Sequence, residues 1–236
     1  MSTRAANQFA TGCSVNSPDY WDERFQNDWE TAHGCEQTRL FAWYFLRTVR
    51  LPVTEGTFLD AGCAMGDALP EVHKRYPRLE LSGCDVSPVA VERAREKHGE
   101  LATFLHCGFE GIEGHYDIIY CSNSLEHFAD YLAISRRLLA HCDWLYVLAP
   151  YKETLPMPQV ADPRDAEHVV SFDRHSLDGL VRARAARRIR TWVRRTEGAW
   201  GWSKPSLWRR TVAQLRRGPA DLDASLRQVF FEIRSC

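Results

Sequence analysis

Between residues 57 and 150, short apolar segments alternate with amphipathic stretches. The apolar segments are typical of buried strands, and the amphipathic stretches have the spacing of helices. The predicted strands are 57–60, 80–85, 103–107, 117–122 and 144–149. The predicted helices are 67–76, a helix that Pro88 opens and Gly99 closes, and 129–140. This alternation predicts an α/β fold, a doubly wound and mostly parallel sheet with helices on both faces.

The chain divides into an N-terminal extension and one larger domain. Residues 1–50 predict a helical extension, in which an apolar-rich stretch from Thr38 to Val49 has helical spacing. Residues 51–236 form the predicted domain, and the alternating segment 57–150 is its core. In the remaining segment, 151–236, the alternation of predicted strands and helices is less regular.

Beyond the alternating core, the predicted elements are less regular. Three prolines between residues 151 and 170 predict a loop rather than a helix. The pattern then predicts helices over 175–186 and 204–217 and strands over 188–195 and 228–234. We expect the last strand to be an edge strand that runs antiparallel beside 188–195. The sheet would then be mostly parallel with an antiparallel edge.

The composition is that of a globular chain, with 44% apolar and 26% charged residues. No apolar run approaches the roughly 18 residues that span a bilayer, and residues 1–10 lack the pattern of a secretory signal. We therefore expect a cytoplasmic protein. The eight cysteines are scattered singly with no CxxC pair. This spacing predicts reduced core thiols and no metal site, since metal sites need clustered ligands.

The net charge of −1 conceals a strong asymmetry along the chain. Residues 1–181 carry a net charge of −11, whereas residues 182–217 carry +11, with 12 Lys or Arg against one acid. Such a split suggests a region that meets an anionic partner. A solvated basic helix face that pairs with the acidic body is the alternative.

The run from Thr57 to Asp67, TFLDAGCAMGD, is the strongest sign of a ligand site. A predicted strand ends at Asp60 and passes into a loop with Gly62 and Gly66 before a helix begins. Glycines let the backbone approach a ligand closely, and the amides at the helix start can donate to its polar groups. Ligands of open α/β sheets lie beyond the carboxyl ends of the strands. The loop therefore predicts a bound nucleoside cofactor.

Two common nucleotide sites do not fit this loop. A dinucleotide site needs GxGxxG, and Ala64 stands where the middle glycine would be. A P-loop needs Gly-Lys-Ser/Thr, and the sequence has no such run. Asp60 at the strand end would repel a pyrophosphate but suits a cationic methionyl group. A nicotinamide reductase is therefore disfavoured.

Several motifs, in order over residues 57–150, resemble those of the class I S-adenosylmethionine-dependent methyltransferases, of the type that acts on small molecules. LDAGCAMGD is similar to the glycine-rich first motif, LSGCDVS ends the second strand in an acid, and YDIIYCSNSLEHF resembles the fourth-strand motif. The resemblance implies a Rossmann-like methyltransferase fold with S-adenosylmethionine as cofactor. The cofactor-binding residues that it implies are Asp60, Gly62, Cys63, Gly66, Asp85, Val86, Phe109, Ser122 and Asn123.

The resemblance also gives these residues roles. The first motif, with Asp60, would hold the methionine end, and Asp85 would accept both ribose hydroxyls. The chain departs from the family after the third strand, where HCGFEG lacks the acid that many relatives place against adenine. Phe109 could pack on the adenine, and Glu110 is a candidate for the missing hydrogen bond.

Methyl transfer from a sulfonium is an in-line displacement, so alignment of acceptor and methyl supplies most of the acceleration. A hydroxyl acceptor could pass its proton to His127, with Glu126 beside it as orienter, and His168 is a second candidate base. Each histidine also has a structural interpretation, as a turn cap or a surface loop residue. Tyr20 and Trp21 are candidates for a lid over the acceptor or for anchors of the N-terminal helix, and the candidate pocket wall is Tyr151.

The sequence thus predicts methyl transfer to oxygen or nitrogen of a small metabolite, with anionic or sugar-containing acceptors as candidates. One alternative is a module that binds S-adenosylmethionine without turnover. Another is a methyltransferase that acts on nucleic acid through the basic segment 182–217, although no RNA-binding motif accompanies it. Contact of the Trp208 region with an anionic membrane surface is a weaker interpretation of the same segment.

Overall fold

A computed structural model describes residues 14–155, 167–196 and 227–236 of the chain. The predicted helix 204–217, with Trp208, and part of the predicted loop 151–170 lie outside these residues. Among the residues that are described, no helix has the length and apolar character needed to cross a bilayer.

Two helices form the N-terminal part of the described chain: α1 (Pro18–Asn27) and α2 (Gly34–Thr48). Ser17 caps α1, because its side chain accepts a hydrogen bond from the backbone N–H of Tyr20, and a proline occupies the first turn. The sequence predicts an apolar-rich helical stretch over 38–49. In the structure this helix begins earlier, at Gly34.

Seven strands in the described residues form a single sheet. In chain order they are β1 (Glu55–Ala61), β2 (Arg78–Asp85), β3 (Thr103–His106), β4 (Tyr116–Ser122), β5 (Cys142–Pro150), β6 (Ala186–Arg195) and β7 (Arg227–Ser235). Their spatial order is β3-β2-β1-β4-β5-β7-β6. The first five strands are parallel, and β7 runs antiparallel to both β5 and β6. The predicted mostly parallel sheet with one antiparallel strand toward its edge is confirmed.

Four further helices connect these strands: α3 (Leu69–Arg75), α4 (Pro88–His98), α5 (Tyr131–Ala140) and α6 (Gly179–Arg182). Two single 3₁₀ turns, Phe109–Gly111 and Leu125–His127, follow β3 and β4. Both turns lie just beyond carboxyl ends of parallel strands, which is where an open α/β sheet binds its ligands.

The order of the two C-terminal strands differs from the prediction. The predicted pairing of 228–234 with 188–195 is correct, but β7 lies inside the sheet and β6 forms the edge. The reason is side-chain character: β7 is buried along most of its length, whereas β6 is rich in exposed arginine. Charged side chains are typical of edge strands.

The predicted helix 175–186 is wrong for most of its length. The structure has turns and the single helical turn α6 there, and the last residue of the range, Ala186, already belongs to β6. The Asp173 side chain accepts hydrogen bonds from the N–H of His175 and the hydroxyl of Ser176, which favours a turn. Arg184 has a positive φ of 56°, which ends helical geometry.

Successive residues of the central strands pack on opposite faces of the sheet. Phe58 and Tyr120 join a cluster that contains Phe45 of α2, with the Phe45 and Tyr120 rings stacked at 4.6 Å. Their neighbours, including Leu59, join a second cluster that contains Leu138 of α5. The N-terminal helix α2 is therefore part of the layer that covers one sheet face.

Candidate functional site

The loop after β1 closes against the end of β2. The backbone N–H groups of Gly62 and Cys63 both donate to the carbonyl of Cys84, at 2.9 Å each. Gly62, Ala64 and Gly66 have positive φ values of 79°, 48° and 75°. A Cβ at Gly62 would lie 2.5 Å from Oγ of Ser124, which shows how closely the loop approaches the end of β4. The loop has the tight backbone that the sequence predicted.

Gly66 is required for a different reason. A Cβ on this residue would lie 2.6 Å from the Phe104 ring. We expect Gly66→Ala to lower the free energy of unfolding by about 1–2 kcal/mol, because alanine is strained in the left-handed conformation. Overpacking against Phe104 should lower it by a further amount of about 1–3 kcal/mol. Gly114→Ala is the matched control, because Gly114 has a φ of 77° with nothing within 4 Å of its Cβ position. Urea denaturation of both variants measures the difference, and equal losses would contradict the packing role.

Two buried aspartates lie at the ends of β1 and β2. Burial, with a smaller contribution from Asp85, raises the pKa of Asp60 to about 8. Burial also raises the pKa of Asp85, against the opposing effect of its backbone hydrogen bonds. The two carboxyl oxygens of Asp85 accept from the N–H groups of Ala64 (2.9 Å) and Ser87 (3.0 Å). Asp85 therefore links the loop to the start of α4, a structural role that the sequence did not reveal.

The remaining predicted cofactor residues lie around the same edge of the sheet. Cys63 is buried in the core cluster, so only its backbone is available to a ligand. The Phe109 ring lies 3.9 Å from the Cβ position of Gly62. Asn123 has a positive φ of 50°, and its side-chain amide donates to Oγ of Ser122 (3.0 Å). Val86 is half-buried directly after β2.

A group of titratable side chains lies beside the end of β4. The rings of His127 and His168 are 4.9 Å apart, and Glu126 is buried next to them. Nδ1 of His127 bonds the carbonyl of Glu167 (2.9 Å), and Nδ1 of His168 bonds the carboxylate of Glu153 (2.5 Å). The structure thus brings the three predicted catalytic residues together.

The environments of these three groups shift their pKa values in different directions. Burial, reinforced by the nearby His168, lowers the pKa of His127 to about 4. Burial alone would lower the pKa of His168, but its acidic neighbours, foremost Glu153, outweigh it and raise the pKa to about 9. Burial raises the pKa of Glu126 to about 7, and His168 opposes this shift.

The predicted aromatic residues border this group. The edge of the Trp21 ring contacts His127, with ring centroids 4.9 Å apart. Trp21 also packs in the cluster that contains Ala64 of the loop. Tyr20 is buried, and its hydroxyl hydrogen-bonds the Glu167 carboxylate. Tyr151 follows β5 and pairs with Phe172.

Sequence reasoning missed several partners in this region. Asn16 donates to the carbonyl of Glu167 (2.7 Å), and the Asp22 carboxylate accepts from the hydroxyl of Ser87. Glu153 and Glu167 hold the histidines, as described above. These residues are distant in sequence from the groups that they contact, and none belongs to a motif, so no local pattern points to them.

A Rossmann-like sheet with this loop and an acid ending β2 defines a nucleoside-cofactor domain. Two curated proteins match part of the chain. The trans-aconitate 2-methyltransferase of Enterobacter sp. (strain 638) is 29% identical over 119 residues, which are 48% of this chain and 46% of that protein. The malonyl-[acyl-carrier protein] O-methyltransferase 1 of Ilyobacter polytropus is 28% identical over 91 residues, 36% and 34% of the respective chains. The matches thus span less than half the length of either relative.

A solved structure shares the fold over nearly the whole chain. It is the magnesium protoporphyrin IX methyltransferase of Synechocystis PCC 6803 with bound S-adenosylhomocysteine, at 15% identity and a TM-score of 0.61. The likeness covers 92% of this chain and 98% of that one. A family model described as a methyltransferase domain matches residues 14–185. The chain therefore belongs to this methyltransferase family, and the predicted class I S-adenosylmethionine-dependent fold is confirmed.

Proposed function

We propose that the chain transfers the methyl group of S-adenosylmethionine to an oxygen or nitrogen of a small metabolite, with an anionic oxygen acceptor favoured. One juxtaposition supports this proposal. Trp21 packs against the buried cluster that contains Ala64 of the cofactor loop, and it also contacts His127, so the loop and the histidine group are inferred to border one space. The acceptor would lie between them, next to the methionine end of the cofactor.

The residues around the loop fit the cofactor. S-adenosylmethionine supplies a methyl group already activated on a cationic sulfonium. The buried carboxyl of Asp60 lies near a second acid, so a cationic ligand would relieve their repulsion. Asp85 retains lone pairs for the ribose hydroxyls after it accepts two backbone hydrogen bonds. Phe109 and Glu110 stay the proposed contacts of the adenine.

The acceptor side is proposed to consist of His127, His168 and the aromatic residues around them. Tyr20 and Trp21 would exclude water from the reacting atoms, and Tyr151 would form a wall beyond β5. A hydroxyl acceptor could pass its proton to His127, whereas a carboxylate acceptor needs no base. The two curated relatives are named for trans-aconitate and malonyl groups, and both are carboxylic acids. This supports an acidic acceptor.

The test is an acceptor panel with S-adenosylmethionine as methyl donor. Formation of S-adenosylhomocysteine would be followed with di- and tricarboxylic acids, hydroxylated aromatics, amines and RNA. We expect turnover with one or more carboxylic acids. Tight binding of S-adenosylhomocysteine without turnover on any acceptor would favour the non-catalytic module. Turnover on RNA alone would favour the nucleic-acid alternative, most of whose basic residues in the described part of the chain lie on the edge strand β6.

A further inference from the structure

Glu126 is a buried residue beside the two histidines. It is 1% exposed, and within the described part of the chain neither of its carboxyl oxygens has a hydrogen-bond partner. Its backbone carbonyl accepts from the N–H groups of Val169 and Val170, so the surrounding chain holds the residue in place. A buried polar group without a partner destabilises the fold, and a charged one does so more strongly. An unpartnered group of this kind indicates a bound ligand that would interact with its oxygens.

The two histidines beside Glu126 are held as metal ligands are held. Nδ1 of His127 donates to the backbone carbonyl of Glu167, and Nδ1 of His168 donates to the carboxylate of Glu153. In metal sites a bond of this kind from one ring nitrogen fixes the orientation of the imidazole and leaves the other nitrogen for the ion. A carbonyl and a carboxylate are the usual partners.

One ring nitrogen of each histidine and one oxygen of Glu126 lie within 4.8 Å of one another. We propose that Glu126, His127 and His168 bind a divalent metal ion. Metal–ligand bonds of about 2.0–2.2 Å would require these atoms to close by on the order of 1–2 Å. No metal site was predicted from the sequence, where the potential ligands are not clustered. His168 lies 41 positions after His127, and only the fold brings the two histidines together.

The donor set selects the class of ion. Two imidazoles and one carboxylate suit first-row transition metals such as zinc, iron or nickel, whereas magnesium and calcium prefer oxygen ligands. Three protein ligands also leave at least one coordination position open, as in catalytic metal sites. The aromatic rings of Tyr20 and Trp21 border the cluster and would limit access of water.

The open position would take the acceptor oxygen, an inference that rests on the proposed function. A bound ion would orient a carboxylate or lower the pKa of a hydroxyl acceptor. His127 would then be a ligand rather than a base. Binding of the ion itself does not depend on methyl transfer, so the two proposals can fail separately.

The experiment is calorimetric titration of the full chain, stripped with a chelator, with ZnSO₄ in the absence of cofactor and acceptor. We expect one equivalent of zinc to bind. Glu126→Gln and His168→Gln should abolish this binding while S-adenosylhomocysteine affinity, measured in parallel, stays unchanged as a check of folding. Glu153→Gln should weaken zinc binding by about 10–100-fold, because it frees the His168 ring. His175→Gln, which alters an exposed histidine, should bind zinc like the unmodified chain.

Cobalt(II) serves as a spectroscopic control, because the chain has free cysteines and cysteine thiolates are also zinc ligands. Visible bands without a sulfur-to-cobalt charge-transfer band would support histidine and carboxylate ligation. A thiolate band, zinc binding that survives both Glu126→Gln and His168→Gln, or no binding by the unmodified chain would each overturn the proposal.

Discussion

Replacing Asp85 with alanine should weaken binding of S-adenosylhomocysteine by about 1–3 kcal/mol, or roughly 5- to 150-fold in Kd. The carboxylate is 8% exposed and accepts from the N–H groups of Ala64 and Ser87. The variant would lose these bonds together with those to the ribose. Calorimetry with the unmodified chain and the variant measures the change.

A second ligand separates the two roles of Asp85. The unmodified chain should bind 2′-deoxy-S-adenosylhomocysteine more weakly than the parent compound, whereas Asp85→Ala should discriminate little between them. Asp117→Ala is the matched control, because Asp117 also accepts two hydrogen bonds, from the N–H and hydroxyl of Thr57, at the opposite end of the strands. It should lose stability but keep cofactor affinity. If Asp85→Ala reduced the affinity for both ligands by the same factor, Asp85 would have no role in binding the ribose.

Replacing His127 with alanine should lower kcat by about 10²-fold or more and leave S-adenosylhomocysteine affinity nearly unchanged. The ring lies against Trp21 and His168, on the acceptor side of the proposed space. Its loss removes either a proton acceptor or a metal ligand. Steady-state kinetics with the acceptor found in the panel, together with calorimetry, measures both quantities.

His141→Ala is the control for this variant. Nδ1 of His141 also bonds a backbone carbonyl, that of Gly114 (2.7 Å), but His141 precedes β5 at the opposite end of the sheet. It should retain kcat. A His127→Ala variant with undiminished kcat, or one that loses cofactor affinity in parallel with kcat, would show that His127 only supports the fold.

The parallel core was predictable because its pattern is local. Each strand is a short apolar run, and Pro88 and Gly99 delimit α4 in the sequence as they do in the structure. The C-terminal segment was less predictable. Leu177 and Leu180 have helical spacing, yet the hydrogen bonds that the Asp173 carboxylate accepts favour turns there. Hydrogen bonds of this kind outweigh periodicity in short segments.

The cofactor loop could be predicted because its chemistry lies within one short run and the acid that ends the next strand. The acceptor side could not be predicted to the same depth. His127 and His168 were candidates from their positions after β4 and before β6, but their partners Glu153 and Glu167 were not. Glu153 and Glu167 lie 15 and 40 positions from the histidines that they contact, and no sequence pattern marks those pairings.

The central claim is that the loop between β1 and α3, with the acid that ends β2, binds the adenosyl and methionyl parts of one ligand. Isothermal calorimetry of the purified chain with S-adenosylhomocysteine, and with NADH as comparator, tests it most directly. We expect saturable binding of S-adenosylhomocysteine at one site and no measurable binding of NADH. Absence of heat with both S-adenosylmethionine and S-adenosylhomocysteine, or preferential binding of NADH, would contradict it.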